Sequence, residues 1–571
     1  MKNHEIAELL DEIADILEIK DVAWKPIAYR KAARFIETLP KDVELIYKRS
    51  GLSGLTDMPG IGPGIGKKIA EYLDTGKIKE LEKLKESVPE NVASMMDIPG
   101  LGPKKVSRLY NKLKIQSLND LEKAAKTGKI RNLEGFGEKS EEDILIGMEL
   151  VKKGRERMLL GNALPIANSI YEKLKVLKDV EKIDIAGSIR RMKETVKDID
   201  ILIVSKKPES IMNYFVKMND VKTVLAKGKT KSSVILKEGL NCDLRIVNGK
   251  SYGGAMAYFT GSKDHNIKMR QIALKKSMKL SEYGLFDRKN KYICGRSERD
   301  IYSMLGLNYI EPEMRENNGE LELKKLPNLI GYDSIKGDLH LHTKWSDGIN
   351  ETEEIVKEAI KIGHEYIAIT DHSKSQRIAN GLDENRLKKH LEEIDKLAGK
   401  YKNHIKILKG AEVDILKDGS LDYSNAILEE LDIVIASIHS RFKDTREENT
   451  KRIINAINNE HVNAIGHPTG RIINQRNSYD IDMDALIDEA KKNNVALEIN
   501  AYPSRLDLND TSIKSCVEKG CKMMINTDSH AITNMGFMKL GIAQARRGWA
   551  ENKDIINSMP FEKFIGFMKK R

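Results

Sequence analysis

The sequence predicts a multidomain chain with an all-α N-terminal region, an α+β middle and a C-terminal part of alternating, parallel βα units. Apolar residues recur at helical spacing in the first part, in Ile6, Leu9, Leu10, Ile13 and Leu17 and again in Ala32, Ala33, Phe35 and Ile36. From Lys182 the texture turns to short β-rich runs, 183–186, 199–204, 234–236 and 244–247, separated by helices. After Gly337 strands and helices alternate regularly, and ten of the twelve histidines lie beyond residue 335.

These shifts divide the chain into six parts: 1–85 and 86–155, both helical; 156–250 and 251–315, both mixed; a polar linker at 316–335 with Asn317, Asn318, Gly319 and Pro327; and the alternating βα part at 336–571. Composition narrows the function classes. Apolar residues make up 40% and charged residues 32%, enough of each for folded cores under a charged surface. The longest apolar-rich stretches, such as 433–438, fall far short of the roughly 20 residues that span a bilayer, and the first residues lack the apolar core of a secretory signal. Cys242, Cys294, Cys516 and Cys521 give neither a disulfide framework nor a CxxC pair, which fits a reducing cytosol. The expectation is a cytoplasmic chain with no membrane partner, whose net charge of +11 attracts polyanions.

In the helical region, Met58-Pro59-Gly60-Ile61-Gly62, Ile98-Pro99-Gly100-Leu101-Gly102 and Leu133-Glu134-Gly135-Phe136-Gly137 share one plan: an apolar residue, a Gly-x-Gly turn, then a helix. Such turns let backbone N–H groups converge at a helix N-terminus, where a phosphate sits well and no base is read. Lys67, Lys68, Lys104 and Lys105 add positive charge. A nucleotide-binding phosphate loop is excluded, because it needs glycine where Ile61 stands and Ser or Thr where Lys68 stands. The first turn is expected to open a helix at Ile69. The three turns resemble the helix-hairpin-helix elements of DNA repair enzymes.

In the middle, Gly187-Ser188 precedes Asp198-Ile199-Asp200 by about ten residues. In a strand, residues i and i+2 face the same way, so Asp198 and Asp200 pair their carboxylates while Ile199 and Ile201 turn to the core. If the β segment with Asp243 lies alongside, three carboxylates form a site for two Mg²⁺ ions. Gly187, Ser188 and Arg191 supply donors for departing phosphates.

This segment resembles the nucleotidyltransferase palm of family X DNA polymerases, with Gly-Ser-x-Arg-Arg, Asp-x-Asp and a third Asp. Tyr258, Phe259, Gly261, Asn266 and Arg270 are similar to that family's nucleotide-selection region. The resemblance implies that Asp198 and Asp200 hold both metals, that Asp243 completes the one activating the primer 3′ hydroxyl, that Tyr258 and Phe259 border the sugar, and that Asn266 and Arg270 meet the base pair. Three positions depart from the family's base-repair member. Lys263 replaces an aspartate, Asn241 an arginine, and Tyr72 the Schiff-base lysine of its lyase activity, with Lys68 four positions away, so the resemblance does not extend to a lyase prediction.

The C-terminal part carries His340 and His342 as an i, i+2 pair, then Asp347, His372, Glu412, His439, His467, Asp528 and His530, nearly all just beyond an apolar strand. Barrels of alternating strands and helices build their sites at the C-terminal ends of strands. Nine N/O ligands suffice for three divalent ions, and with no thiol among them they suit Zn²⁺ or Mn²⁺. His364, His390, His404 and His461 lack this placement and read as surface or core residues. The set resembles the PHP family, which implies a metal-dependent phosphoesterase in a distorted (β/α)7 barrel.

The order of the parts resembles bacterial and archaeal family X DNA polymerases from end to end. That implies a monomeric polymerase filling short gaps at gapped or nicked duplex DNA from deoxynucleoside triphosphates in base excision repair. The barrel would act as a 3′-5′ exonuclease and AP endonuclease. The alternative is a template-independent or non-DNA nucleotidyltransferase fused to a small-molecule phosphomonoesterase.

Overall fold

The computed structural model describes residues 3–38, 43–58, 60–88, 92, 94–98, 101–138, 140, 141, 144, 145, 148 and 157–568. It divides into two compact units. The first comprises Met1–Arg157, Leu174–Asp184 and Asp200–Tyr309; the second comprises Met158–Lys173, Ile185–Ile199 and Ile310–Arg571. Among the described residues, no helix is long and apolar enough to cross a membrane.

The first unit opens with the helices Asn3–Ile19 and Lys25–Thr38. Ile6, Leu10, Ile13 and Leu17 fall on one face at helical spacing and are buried with Ala32, Ala33 and Ile36. The two Gly-Pro junctions that follow are alike. Gly62 and Gly102 are extended N-caps, and Pro63 and Pro103 stand at the first helical position of Pro63–Thr75 and Pro103–Leu113. Proline there has its φ preset and lacks only an N–H that the helix cannot use. The first of these helices therefore starts at Pro63, six residues before the expected Ile69. Gly60 and Gly135 hold φ of +84° and +82°, which the tight turns require and side chains disfavour. Pro59, Pro99 and Gly100 lie outside the described residues.

A five-stranded sheet follows in the order Lys182–Ile185, Asp198–Val204, Asn241–Val247, Lys231–Leu236, Val221–Lys227. Ile199, Ile201 and Ile203 are buried in its interior, as are Cys242, Leu244 and Ile246. Helices Tyr252–Thr260 and Lys263–Lys275 lead to a three-stranded antiparallel sheet of Met278–Ser281, Gly284–Asp287 and Tyr292–Cys294.

The second unit is a seven-stranded parallel sheet whose strands neighbour one another in chain order: Gly337–Asp338, Tyr366–Ile369, Lys406–Asp414, Ile433–Ser437, Ala464–Ile465, Ala496–Asn500 and Met523–Asn526. A parallel bridge from Leu341 to Ser529 joins the first and last strands, so the sheet is a nearly closed barrel. The strands are buried on both faces, as expected where helices cover the outside.

The stretch read as a linker is packed. Ile330 belongs to the barrel core and its N–H donates to Ala550 O at 2.9 Å. Tyr332 Oη donates to Glu313, which also pairs with Arg546 at 2.7 Å, and Glu320 accepts the N–H groups of Asn317 and Asn318. Its polarity, which suggested a solvated tether, is spent on internal hydrogen bonds.

Candidate metal centre and polymerase site

At the C-terminal ends of the barrel strands the nine predicted ligands converge. Ligand atoms of His342, Asp347, His372 and His530 lie within 4.8 Å of one another, as do those of His340, His342 and Glu412, and those of His372, Glu412 and His439. Glu412 is the hub. One of its oxygens stands 2.7 Å from His372 Nδ1, 3.5 Å from His340 Nε2 and 3.7 Å from His342 Nε2. The other stands 3.2 Å from His439 Nε2 and 2.9 Å from His467 Nε2. Asp528 meets His342 Nε2 at 3.1 Å, and Asp347 faces His530 at 3.4 Å and His372 at 3.6 Å.

Several of these atoms are buried without a hydrogen-bond partner among the described residues: His340 Nε2, His342 Nδ1, His372 Nδ1 and Glu412 Oε2. His372 and Glu412 approach closely yet out of line for a hydrogen bond. Buried polar atoms left so would be costly, whereas lone pairs aimed at a common point are what a divalent ion requires. The residues fit a metal cluster. His467 (φ 26°) and Asp528 (φ 53°) also hold left-handed backbone, which side chains disfavour.

Electrostatics couples the ligands. Burial opposes charge on His340, but the carboxylates of Glu498, Asp528 and Glu412 outweigh it and hold its pKa well above the ordinary value. Burial would raise Glu412, yet His439, His372 and His340 hold it well below the usual carboxylate range. Burial, assisted by His530 and His372, pushes His342 down to about 4.

A supporting shell was not read from the sequence. Glu498 accepts from His340 Nδ1 at 2.7 Å and from the His467 backbone N–H at 2.7 Å, with Asn526 and Asn500 donating to it as well. Asp414 does the same for His439 Nδ1 at 2.6 Å. Such acceptors fix the tautomer and leave Nε2 as the ligand atom. Asp371 accepts the N–H and hydroxyl of Thr343 and stands 2.9 Å from His390, which is fully buried on helix Glu384–Tyr401. A signal for Glu498 existed: the nine ligands come from six of the seven strands, and Glu498 sits near the end of the remaining one.

In the five-stranded sheet, strand order sets Asp243 on the strand beside the one that carries Asp200. Asp198 and Asp200 flank the buried Ile199, and Asp243 is paired with Lys231 at 2.9 Å. Three carboxylates on adjoining strands suit Mg²⁺, an oxygen-seeking ion. Gly187 takes φ 67°, and Ser188 Oγ is buried with no partner among the described residues. Arg191 is turned to Glu316 at 3.1 Å and is largely buried. Tyr258 is 41% exposed and its carbonyl accepts from Asn266 at 2.6 Å; with Arg270 these two line a small cleft. The Arg245 guanidinium lies 4.2 Å over the Phe259 ring, and Gly261 is buried.

Of the helical-region cations, Lys67 and Lys104 are exposed and Lys105 lies over the Phe136 ring. Lys68 differs. Its ammonium is paired with Glu80 at 2.7 Å and is only 17% exposed. Gly60, Gly62, Gly102 and Gly135 are exposed and Gly137 is half-buried.

Comparison with known proteins places the parts in register. Residues 255–316 match the DNA polymerase beta thumb, 1–78 the helix-hairpin-helix domain, 52–114 and 92–149 the SAM-like helix-hairpin-helix tandem, and 338–502 the PHP domain. Over 575 aligned residues, covering 100% of both chains, the protein is 42% identical to the DNA polymerase/3′-5′ exonuclease PolX of Bacillus subtilis. The chain belongs to family X of the DNA polymerases. Barrel segments are also similar to probable phosphatases of Clostridium acetobutylicum (34% over 209 residues) and Thermoanaerobacter sp. (36% over 211 residues), each covering 35% of this chain and 80% of the relative. As a family X polymerase with a PHP domain, the chain is a metal-dependent enzyme that binds DNA and deoxynucleoside triphosphates.

Proposed function

We propose that this family X polymerase fills short gaps during base excision repair and prunes 3′ ends at a separate site in its barrel. Support comes from the distribution of ligand chemistry: carboxylates alone at Asp198, Asp200 and Asp243 on two neighbouring strands of the five-stranded sheet, and an imidazole-rich pouch around Glu412 at the strand ends of the seven-stranded one. The first set would hold two Mg²⁺ ions; the second would hold up to three Zn²⁺ or Mn²⁺ ions. When bound, such ions lower the pKa of a hydroxyl or water and take up charge on phosphate oxygens.

The chain's own groups would do the rest. Ser188, the Gly187 backbone and Arg191 would face the triphosphate. Tyr258, Phe259, Gly261, Asn266 and Arg270 would shape the nucleotide pocket. The turns at Gly60, Gly62, Gly100, Gly102, Gly135 and Gly137, with Lys67, Lys104 and Lys105, would hold gapped or nicked duplex by its backbone. In the pouch, His340, His342, Asp347, His372, Glu412, His439, His467, Asp528 and His530 would hold the metals over a 3′-terminal phosphodiester, or over an abasic site. We place this enzyme in the cytosol as a monomer.

The likeness of the barrel to probable phosphatases favours one second reading, a pouch that cleaves phosphomonoesters. Purified full chain assayed on a 3′-recessed duplex and on a panel of phosphomonoesters, in Mg²⁺ and in Mn²⁺, separates the two. The proposal expects mononucleotide release from the duplex and little turnover of the panel. The reverse pattern would replace the nuclease reading with the phosphatase one.

A further inference from the structure

Beside the pouch lies a cation that no ligand set explains. Arg505 follows strand Ala496–Asn500 in a loop held on several sides. Asp507 O accepts from the Asn500 N–H, the Asp507 carboxylate accepts from the Thr469 N–H at 3.0 Å, and Arg471 Nε donates to Arg505 O at 2.9 Å. The backbone of the loop is therefore held in place.

That side chain is 20% exposed. Its Nε stands 3.5 Å from Asp528 Oδ2, too far for a hydrogen bond, and its Nη1 is buried without a partner among the described residues. Asp528 is already engaged, by Asn500 Nδ2 at 3.0 Å and by His342 Nε2 at 3.1 Å. A guanidinium with a buried donor left unused is costly unless an anion completes it. Once Asp528 serves as a metal ligand its charge is spent, and the need grows.

We propose that Arg505 clamps the substrate phosphate, donating from Nη1 to a non-bridging oxygen of the phosphodiester held in the pouch. Guanidinium donors match phosphate oxygens in spacing and charge. The assignment rests on the phosphoesterase reading of the pouch. A phosphodiester and free inorganic phosphate share the required chemistry.

The test uses the metal-loaded full chain with inorganic phosphate as probe, measured by titration calorimetry, alongside metal content by elemental analysis and nuclease rate on a 3′-recessed duplex. Arg505→Met should keep its metals, bind phosphate at least about tenfold more weakly and lose about 10²-fold in nuclease kcat/KM, with Arg505→Lys intermediate. Replacing the terminal phosphodiester by a methylphosphonate should slow the wild type and slow Arg505→Met far less. Equal phosphate affinity in wild type and Arg505→Met, no phosphate binding by either, or equal methylphosphonate penalties would overturn the clamp. Phosphate binding that depends on Arg505 in a chain without nuclease activity would uphold the clamp and reject the nuclease reading instead.

Discussion

The carboxylate of Glu498 meets His340 Nδ1 at 2.7 Å and, through its second oxygen, accepts the backbone N–H of His467 at 2.7 Å. One buried acid thus orients two ligands that lie 127 positions apart in sequence, by their numbers. It holds His340 with Nε2 toward Glu412 and fixes the strained backbone of His467.

Glu498→Gln should therefore damage the pouch without touching a metal. A glutamine can accept at one oxygen only, so either His340 or His467 loses its support. Metal affinity and nuclease rate should fall about 10–100-fold, while primer extension is unchanged. Competitive metal titration of the variant checks this; wild-type affinity would show that Glu498 positions nothing.

Lys67 and Lys68 should behave differently although they are neighbours. Lys67 is exposed beside the first glycine turn, whereas Lys68 is occupied by Glu80. Lys67→Ala should reduce the slope of log K for DNA against log salt by about one. Lys68→Ala should leave the slope alone and lower the unfolding temperature of the helical region. Binding isotherms at several salt concentrations, run on both variants, decide between this pattern and two equal phosphate contacts.

His364 should make the barrel acid-sensitive. It follows Gly363 at the end of helix Thr352–Ile362, with Nε2 buried and unpartnered among the described residues, and burial pushes its pKa down to about 4. The unfolded chain takes up this proton near pH 6.5 and the folded chain only near 4. Stability is then fully present above about pH 6.5 and falls by ~3 kcal/mol as pH drops toward 4. His364→Phe lacks this loss, so its stability relative to wild type should rise between pH 7 and pH 4.5 in denaturant titrations. A gap independent of pH would contradict the account.

Much of the architecture was legible because it rests on local patterns. Alternating burial around Ile199 and Ile201 and the apolar strands leading to His372 or His439 are short-range signals that survive folding, whereas the Gly-Pro helix start at Pro63 was missed in favour of Ile69. What was not legible is long-range. Nothing near Glu498 in sequence announces a partner at His340, and Asp414 reads as an ordinary strand end until His439 is seen against it. Lys68 and Arg191 show another limit: both read as phosphate-binding cations from their neighbours in sequence, and only the fold sets each beside an acid, Glu80 and Glu316. The stretch 316–335 reads as a tether because its packing partners are remote in sequence: the Ile330 backbone bonds to Arg546 and Ala550, more than two hundred positions away.

The central claim is that synthesis and pruning occupy separate sites, and paired variants test it most directly. Primer extension and 3′-end trimming should be measured on the same gapped and recessed duplexes for wild type, Asp198→Ala with Asp200→Ala, and His340→Ala. The account predicts that the double aspartate variant trims at the wild-type rate without extending, and that His340→Ala extends at the wild-type rate without trimming. Loss of both activities in either folded variant would contradict it.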